Sequence, residues 1–156
     1  TKLSRARPQV AAFPFTTKTP TLGVVGFKDS DLHCVAVDIP GLIEGAHKGR
    51  GLGLDFLRHV ERTRILVHLV DLSGSDGRDP LEDYKALNRE MKQYKHHLEK
   101  KPQIVVGNKI DLEVGKRNIK ALKAQAQHPF VAISAQTGEG IDTLKKAIAT
   151  ALRKAA

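Results

Sequence analysis

The residues Asn108-Lys109-Ile110-Asp111 carry the clearest chemical signal in the sequence, because they directly follow a short apolar run that ends at Gly107. The carboxylate of Asp111 can accept two hydrogen bonds, from the N1–H and the exocyclic amine of guanine, donors that adenine does not present together. A four-residue match of this kind is common by chance, and an Asp after a turn is equally typical of a helix cap. The motif alone leaves base recognition and helix capping open.

A second polar segment, Asp38-Ile39-Pro40-Gly41, ends another apolar run. Its carboxylate could hold Mg²⁺ through water, and the bare backbone of the glycine lets its N–H approach a γ-phosphate. An ordinary turn is the alternative when this segment is considered by itself. About 70 residues separate it from Asn108, which suits a nucleotide site with a phosphate end and a base end, so the two segments together are more specific than either alone.

Two further segments are weaker signals. Phe15-Thr16-Thr17 lies in a turn-prone region before Pro20, and a threonine in such a loop can bind Mg²⁺ with its hydroxyl while its backbone contacts a γ-phosphate. Ser134-Ala135 follows the last apolar run, where a backbone N–H could contact the guanine carbonyl oxygen. In isolation this second pair is better read as a simple strand end.

The spacing of apolar and turn-forming residues predicts alternating strands and helices that would position these segments. The first half predicts a hairpin of strands Leu22 to Phe27 and His33 to Asp38, a flexible loop from Gly41 to Gly53, a helix from Leu54 to Arg64 and a strand from Ile65 to Asp71. The second half predicts a long helix after Pro80 with the apolar face Leu81, Tyr84, Leu87, Met91 and Leu98, a strand from Ile104 to Gly107, a helix around Ile119 and Leu122, a strand from Phe130 to Ser134, and a terminal helix with Ile141, Leu144, Ile148 and Leu152. The later alternation implies a largely parallel sheet covered on both faces.

The composition is that of one folded domain, with 40% hydrophobic and 28% charged residues over 156 positions. The apolar runs are too short for a transmembrane helix, and no signal peptide is recognisable. The single Cys34 excludes an intramolecular disulfide, so we expect a buried thiol in a reducing cytoplasm. Lys and Arg exceed Asp and Glu by 26 − 17 = 9. This excess fits an anionic partner such as RNA and fits a merely solvated basic surface equally well.

Taken together, these segments resemble the Obg family of translation-associated GTPases. The resemblance rests on Phe13-Pro14-Phe15-Thr16-Thr17 with Leu22 to Val25, on the run from Asp38 to Ala46, and on Gly49 to Arg58, and it covers essentially the whole chain. It implies a P-loop NTPase-type α/β three-layer sandwich with a mostly parallel sheet. It also implies GTP and GDP as ligands, Mg²⁺ as cofactor, hydrolysis of GTP, and ribosomal RNA or the ribosome as a partner in the cytoplasm. We expect a monomer.

The resemblance assigns site residues in four groups. The implied nucleotide-binding residues are Phe15, Thr16, Thr17, Lys18 and Thr19 in switch one; Asp38, Ile39, Pro40 and Gly41 in switch two; Asn108, Lys109, Ile110 and Asp111 for the base; and Ser134, Ala135 and Gln136 as their partner. Thr17 and Asp38 are the implied magnesium ligands. No catalytic side chain is assigned, because Leu42 stands where many regulatory GTPases have a glutamine that orients water, and slow intrinsic hydrolysis is therefore implied.

The sequence departs from the family pattern at its start. No G-x-x-x-x-G-K-[ST] loop occurs in residues 1–156, although such a loop normally supplies a backbone nest, a phosphate-binding lysine and a magnesium hydroxyl. We therefore expect a partial Obg-type GTPase domain that lacks its first strand and P-loop. The alternative is a degenerate domain that contacts RNA or protein without binding nucleotide.

Overall fold

The computed structural model describes residues 2–3, 21–27, 32–38, 61–75, 77–93 and 98–155 of the 156-residue chain. The chain divides into two compact units, Thr1–Arg62 and Thr63–Ala156. In the described ranges no helix is long and apolar enough to cross a bilayer.

The first unit contains a two-stranded antiparallel sheet. Strands β1 (Thr21–Gly26) and β2 (His33–Asp38) pair along their full lengths, which confirms the predicted hairpin. Alternation along β1 buries Val25 while Leu22 and Val24 remain exposed on the other face. Cys34 is half-buried rather than buried as predicted, because β2 pairs with one strand among the described residues and is exposed or half-buried along its whole length.

The second unit contains a three-stranded parallel sheet with the order β3-β4-β5. The strands are β3 (Leu66–Asp71), β4 (Gln103–Asn108) and β5 (Phe130–Ala132). The central strand β4 is buried from Gln103 to Gly107, and consecutive strand residues point to opposite faces, so both faces of β4 are covered. The predicted parallel sheet is confirmed for this unit, and the predicted cover on both faces holds for β4, whereas β3 exposes Val67 and Leu69 on one face.

Three helices surround this sheet: α1 (Pro80–Gln93), α2 (Glu113–Gln125) and α3 (Ile141–Lys154). The Asp79 carboxylate caps the start of α1, because it accepts hydrogen bonds from the backbone N–H groups of Leu81 at 2.7 Å and Glu82 at 3.2 Å. A proline in the first helical position fits the same start, since its missing N–H is not needed there.

The core forms where α1 and α2 pack on one face of the sheet. Val70, Leu72, Tyr84, Val105 and Leu122 form one buried cluster on this face. The residues that alternate with them on β4 are also buried, and α3 contacts β4. Helix α3 therefore covers the opposite face, with the four predicted apolar residues Ile141, Leu144, Ile148 and Leu152 all buried.

Several predicted boundaries need correction. Strand β1 covers Thr21–Gly26 instead of Leu22 to Phe27, and β4 covers Gln103–Asn108 instead of Ile104 to Gly107. Leu98 does not extend the face of α1 but begins a separate 3₁₀ turn, Leu98–Lys100, in which it is fully buried. Strand β5 ends at Ala132 instead of Ser134, because the Ser134 N–H turns away from the sheet to donate to the Glu139 carbonyl. The predicted helix from Leu54 to Arg64 falls largely outside the described residues, and its described part is helical only at Glu61, so the predicted end at Arg64 is wrong. The predicted loop from Gly41 to Gly53 lies outside the described residues, and β3 begins at Leu66 instead of Ile65.

Candidate guanine-recognition site

The candidate site lies at the carboxyl end of the parallel sheet. Strands β3 and β4 end side by side, with Asp71 in register with Asn108. The chain continues from β5 through Ile133, whose N–H donates to the Gly107 carbonyl at 2.8 Å. Ligands of open α/β sheets bind outside this end of the strands. The segments 71–75, 108–111 and 133–136 therefore meet where a ligand is expected.

Asp111 is held by Ser134. The Ser134 hydroxyl donates to Asp111 Oδ1 at 2.6 Å and accepts from the Thr137 N–H at 3.1 Å. Ser134 is fully buried, so its hydroxyl has a defined place between these two partners. The N-cap position of α2 is Leu112, without a side-chain cap, and the helix-capping alternative for Asp111 is therefore excluded.

Asn108 connects residues 108–111, called the base motif below, to the loop after β5. Its Oδ1 accepts a hydrogen bond from the Ala135 N–H at 3.0 Å. The Ile110 N–H donates to the Ile133 carbonyl at 3.3 Å in the same region. These two bonds join the segments 108–111 and 133–136 into one rigid corner.

Lys109 adopts a left-handed backbone conformation, with φ of 67°. Its carbonyl accepts the Leu112 N–H at 3.2 Å, closing the turn that leads into α2. A Cβ at position 115 would overlap this carbonyl oxygen, so Gly115 allows the first turn of α2 to pack directly on the motif. This local geometry makes Asn108 and Asp111 neighbours at the strand end.

The Lys109 side chain is held by a group that the sequence analysis missed. Its Nζ lies 2.6 Å from Asp71 Oδ2 and donates to the Ser75 hydroxyl at 2.8 Å. The signal that could have revealed this contact is Asp71-Leu72-Ser73-Gly74-Ser75, a carboxylate and two hydroxyls directly after a strand. Asn118 is a further missed residue, and its Nδ2 donates to the Leu72 carbonyl at 2.8 Å, which fixes the base of this loop.

Of the predicted site residues, the structure brings together Asn108, Lys109, Asp111, Ser134 and Ala135. Ile110 is buried in the core cluster, and Gln136 is exposed beside the site. Asp38 ends β2 in the first unit with an exposed side chain. The remaining predicted residues lie outside the described residues: Phe15, Thr16, Thr17, Lys18, Thr19, Ile39, Pro40 and Gly41.

Comparison with known proteins shows the family to which this chain belongs. Residues 1–109 match the family described as 50S ribosome-binding GTPase, and residues 76–154 match the Ras family. The chain belongs to the 50S ribosome-binding GTPase family. Its similarity to Obg proteins is high, because it is 49% identical over 154 residues to the GTPase Obg of Endomicrobium trichonymphae and 50% identical over 155 residues to that of Persephonella marina.

The matches to these Obg proteins cover nearly all of the chain but less than half of each relative. They include 98% and 97% of this chain, and only 36% and 45% of the two relatives. Among solved structures, the G domain of the T. maritima FeoB iron transporter has a TM-score of 0.66 at 21% identity, covering 97% of this chain and 87% of that domain. The cytosolic domain of L. pneumophila FeoB has a TM-score of 0.61 at 15% identity, covering 96% and 60% respectively. These likenesses confirm the P-loop GTPase type of α/β fold predicted from sequence.

Proposed function

We propose that this chain forms the guanine-recognising part of an Obg-type GTPase, which binds GTP and GDP with Mg²⁺ and hydrolyses GTP to GDP and phosphate. The observation that carries the proposal is the 2.6 Å hydrogen bond from the Ser134 hydroxyl to Asp111 Oδ1. It fixes one carboxylate oxygen and orients the other. Among the described residues Asp111 Oδ2 has no donor, so it is available to a ligand.

The arrangement suits guanine because it offers acceptors where the base has donors. A fixed carboxylate accepts from the N1–H and the exocyclic amine, and a charged acceptor makes these bonds stronger than neutral ones. The Ala135 N–H is already bonded to Asn108. The exposed Gln136 N–H, which has no acceptor among the described residues, is therefore our candidate donor to the guanine carbonyl oxygen.

Magnesium would be held at the phosphate end by Asp38 and Thr17. Both supply oxygen ligands, which Mg²⁺ prefers, and sites of this class take only one or two protein ligands because substrate phosphates and water supply the others. Asp38 stands exposed at the end of β2, as a carboxylate that reaches a metal through water requires. When bound, Mg²⁺ neutralises developing charge on the phosphates.

The presence of Leu42 after Gly41 favours a slow intrinsic rate of GTP hydrolysis. An alkyl side chain after Gly41 has no amide with which to orient the attacking water. We therefore expect acceleration to come from outside these side chains. The partner, the ribosome or ribosomal RNA in the cytoplasm, is inferred from the resemblance to Obg proteins; the net charge of +9 is compatible with neutralisation of RNA phosphates.

The test uses the chain extended upstream of Thr1 with a strand, a G-x-x-x-x-G-K-[ST] loop and a helix taken from an Obg relative, called the extended chain below. Fluorescent GDP is titrated with Mg²⁺, and competitors are added. We expect GDP and GTP to displace the probe, and ADP to compete roughly 100-fold less well or worse, because the base site leaves its acceptors unpaired with adenine. Equal competition by ADP would remove the base-recognition role. Absence of binding to any nucleotide, together with binding to ribosomal RNA, would favour the non-nucleotide module.

A further inference from the structure

Asp71, the last residue of β3, has a carboxylate whose two oxygens both accept hydrogen bonds from the loop that follows, and the proposed function assigns no role to it. Asp71 Oδ1 accepts hydrogen bonds from the Ser73 N–H at 2.8 Å and the Ser73 hydroxyl at 2.6 Å. Its Oδ2 accepts from the Ser75 hydroxyl at 2.9 Å. Both oxygens are therefore fixed from within the loop, and the carboxylate has one orientation toward the base motif.

This carboxylate binds the ammonium group of Lys109. The Lys109 Nζ lies 2.6 Å from Asp71 Oδ2 and donates to the Ser75 hydroxyl at 2.8 Å. Burial raises the pKa of the Asp71 carboxyl, but hydrogen bonds from Lys109, Ser73 and Ser75 lower it by more, and the net pKa is below its ordinary value. The Asp71 carboxyl is thus ionised at neutral pH, and its charge lies beside the side-chain nitrogen of Lys109.

The contact matters because Lys109 lies between the two base-facing residues. Lys109 has φ of 67°, in the left-handed region, which is sterically unfavourable for a residue other than glycine. The Leu112 N–H holds the carbonyl of this residue, while Asp71 and Ser75 hold its side chain. Anchoring at both ends keeps the turn in the conformation that presents Asn108 and Asp111.

We propose that Asp71 is a positioning residue for guanine binding, which acts through Lys109 and fixes the turn carrying Asp111. The inference rests on the proposed function and deepens it. Lys109 serves in this account as the anchor of the turn, and its charge is used by Asp71 rather than by the nucleotide phosphates.

The test is a double-mutant cycle in the extended chain, with the GDP dissociation constant as readout. Asp71→Ala and Lys109→Met should each weaken GDP binding about tenfold, as loss of a charged hydrogen bond does. The double variant should be no weaker than either single variant, because both remove the same contact. Asp71→Asn keeps a carbonyl oxygen for Lys109 and should recover part of the loss.

A second readout separates positioning from general destabilisation. Inosine diphosphate lacks the exocyclic amine that Asp111 accepts, so the ratio of its dissociation constant to that of GDP measures how well Asp111 is aimed. This ratio should fall severalfold in Asp71→Ala. The matched control is Asp83→Ala, which removes the exposed Arg78–Asp83 pair of similar length, 2.7 Å, and should leave both the ratio and the GDP affinity unchanged.

The outcomes distinguish the two proposals. Failure of the unmutated extended chain to bind GDP overturns the proposed function, and the inference with it. Normal GDP binding with an unchanged inosine-to-guanine ratio in Asp71→Ala overturns only the inference, as do additive effects in the double variant.

Discussion

At the scale of single residues, the candidate site depends on side chains that fix one another before any ligand arrives. The Ser134 hydroxyl donates to Asp111 at 2.6 Å, and the backbone N–H of Ala135 donates to Asn108 Oδ1 at 3.0 Å. Preorganisation of this kind matters because a ligand then does not have to offset the cost of ordering the site. For the same reason, we expect the preference of the site for one base over another to report on the Asp111 carboxylate.

Replacing Asp111 by asparagine should change which base is preferred. In the extended chain Asp111→Asn should lower GDP affinity and raise the affinity for xanthosine diphosphate, since the 2-carbonyl of xanthine can accept from the new amide. The loss for GDP should be at least about tenfold, because a charged hydrogen bond is removed. Competition between the two diphosphates measures the preference, and an unchanged preference for GDP would remove Asp111 from base recognition.

At the scale of elements, the site is kept in place by close packing between helix α2 and the base motif. Gly115 lies in the first turn of α2 against the Lys109 carbonyl. Further from the site, helix α1 also packs closely against the sheet. There the ring of His68 on β3 stacks on Tyr84, with ring centroids 5.2 Å apart.

Gly115→Ala should destabilise the chain, although alanine normally favours a helix over glycine by about 1 kcal/mol. The added Cβ would overlap the Lys109 carbonyl oxygen, and that atom is backbone and cannot rotate away. We expect a net loss of about 1–3 kcal/mol, as for overpacked cores, and weaker GDP binding in the extended chain. Urea denaturation and GDP titration measure the two effects.

The control for this substitution is Gly77→Ala. Gly77 also has a backbone that alanine disfavours, with φ of 73°, but a Cβ there has open space. It should cost stability without changing GDP affinity. A Gly115→Ala variant more stable than the unsubstituted chain would contradict the packing argument.

His68 should make stability depend on pH. Burial, and secondarily the charge of His128, lowers the pKa of His68 from 6.5 to about 4. Below pH 6.5 the unfolded chain therefore takes up a proton that the folded chain does not, so this contribution to stability is complete above pH 6.5 and is lost as the pH falls toward about 4. The loss amounts to roughly 3 kcal/mol at 1.36 kcal/mol per pKa unit.

The measurement compares the free energies of unfolding at pH 7.5 and at pH 4.5 for the extended chain, here the parent chain, and for its His68→Phe variant. Phenylalanine keeps an aromatic ring against Tyr84 and cannot be protonated. The parent chain should lose roughly 2–3 kcal/mol more than the variant over this range. Parallel pH profiles for the two proteins would show that His68 does not titrate differently on folding.

At the scale of the whole molecule, the described strands form two separate sheets. Strands β2 and β3 each have a hydrogen-bonded neighbour on one side only, in the part of the chain that the structure describes. Apolar side chains are exposed on both sheets, for example Val35 at 63% and Leu69 at 57%. Exposed edges and apolar surface are unfavourable in an isolated domain.

Residues 1–156 alone should therefore unfold with low stability and bind GDP very weakly. By the family resemblance, a phosphate-binding loop is preceded by a strand that is buried within a sheet. Its buried apolar side chains would each add about 1.5–3 kcal/mol to a domain that is typically stable by about 5–15 kcal/mol. Thermal unfolding and fluorescent-GDP titration of residues 1–156 and of the extended chain test this. Cooperative unfolding and micromolar, Mg²⁺-dependent GDP binding by residues 1–156 would overturn the prediction.

The sequence by itself determined the elements whose signals are local. Strand β2 has the predicted bounds, and the four apolar residues of α3 are all buried, because alternation and helical spacing depend only on near neighbours. The motif Asn108 to Asp111 was also evident, since residue types at fixed spacing identify possible chemistry. The half-buried state of Cys34 and the separate turn at Leu98 were not evident, because burial depends on which other elements pack there.

Only the tertiary structure decided how the motif is held. The bonds from Lys109 to Asp71 and Ser75, and from Ser134 to Asp111, join residues 23 to 38 positions apart. No local pattern encodes such pairs, since they exist only when parallel strands bring their carboxyl ends to one edge of a sheet. The same packing argues against helix capping by Asp111, because Leu112 occupies the helix cap and Ser134 holds the carboxylate. Base recognition by Asp111 stays a prediction.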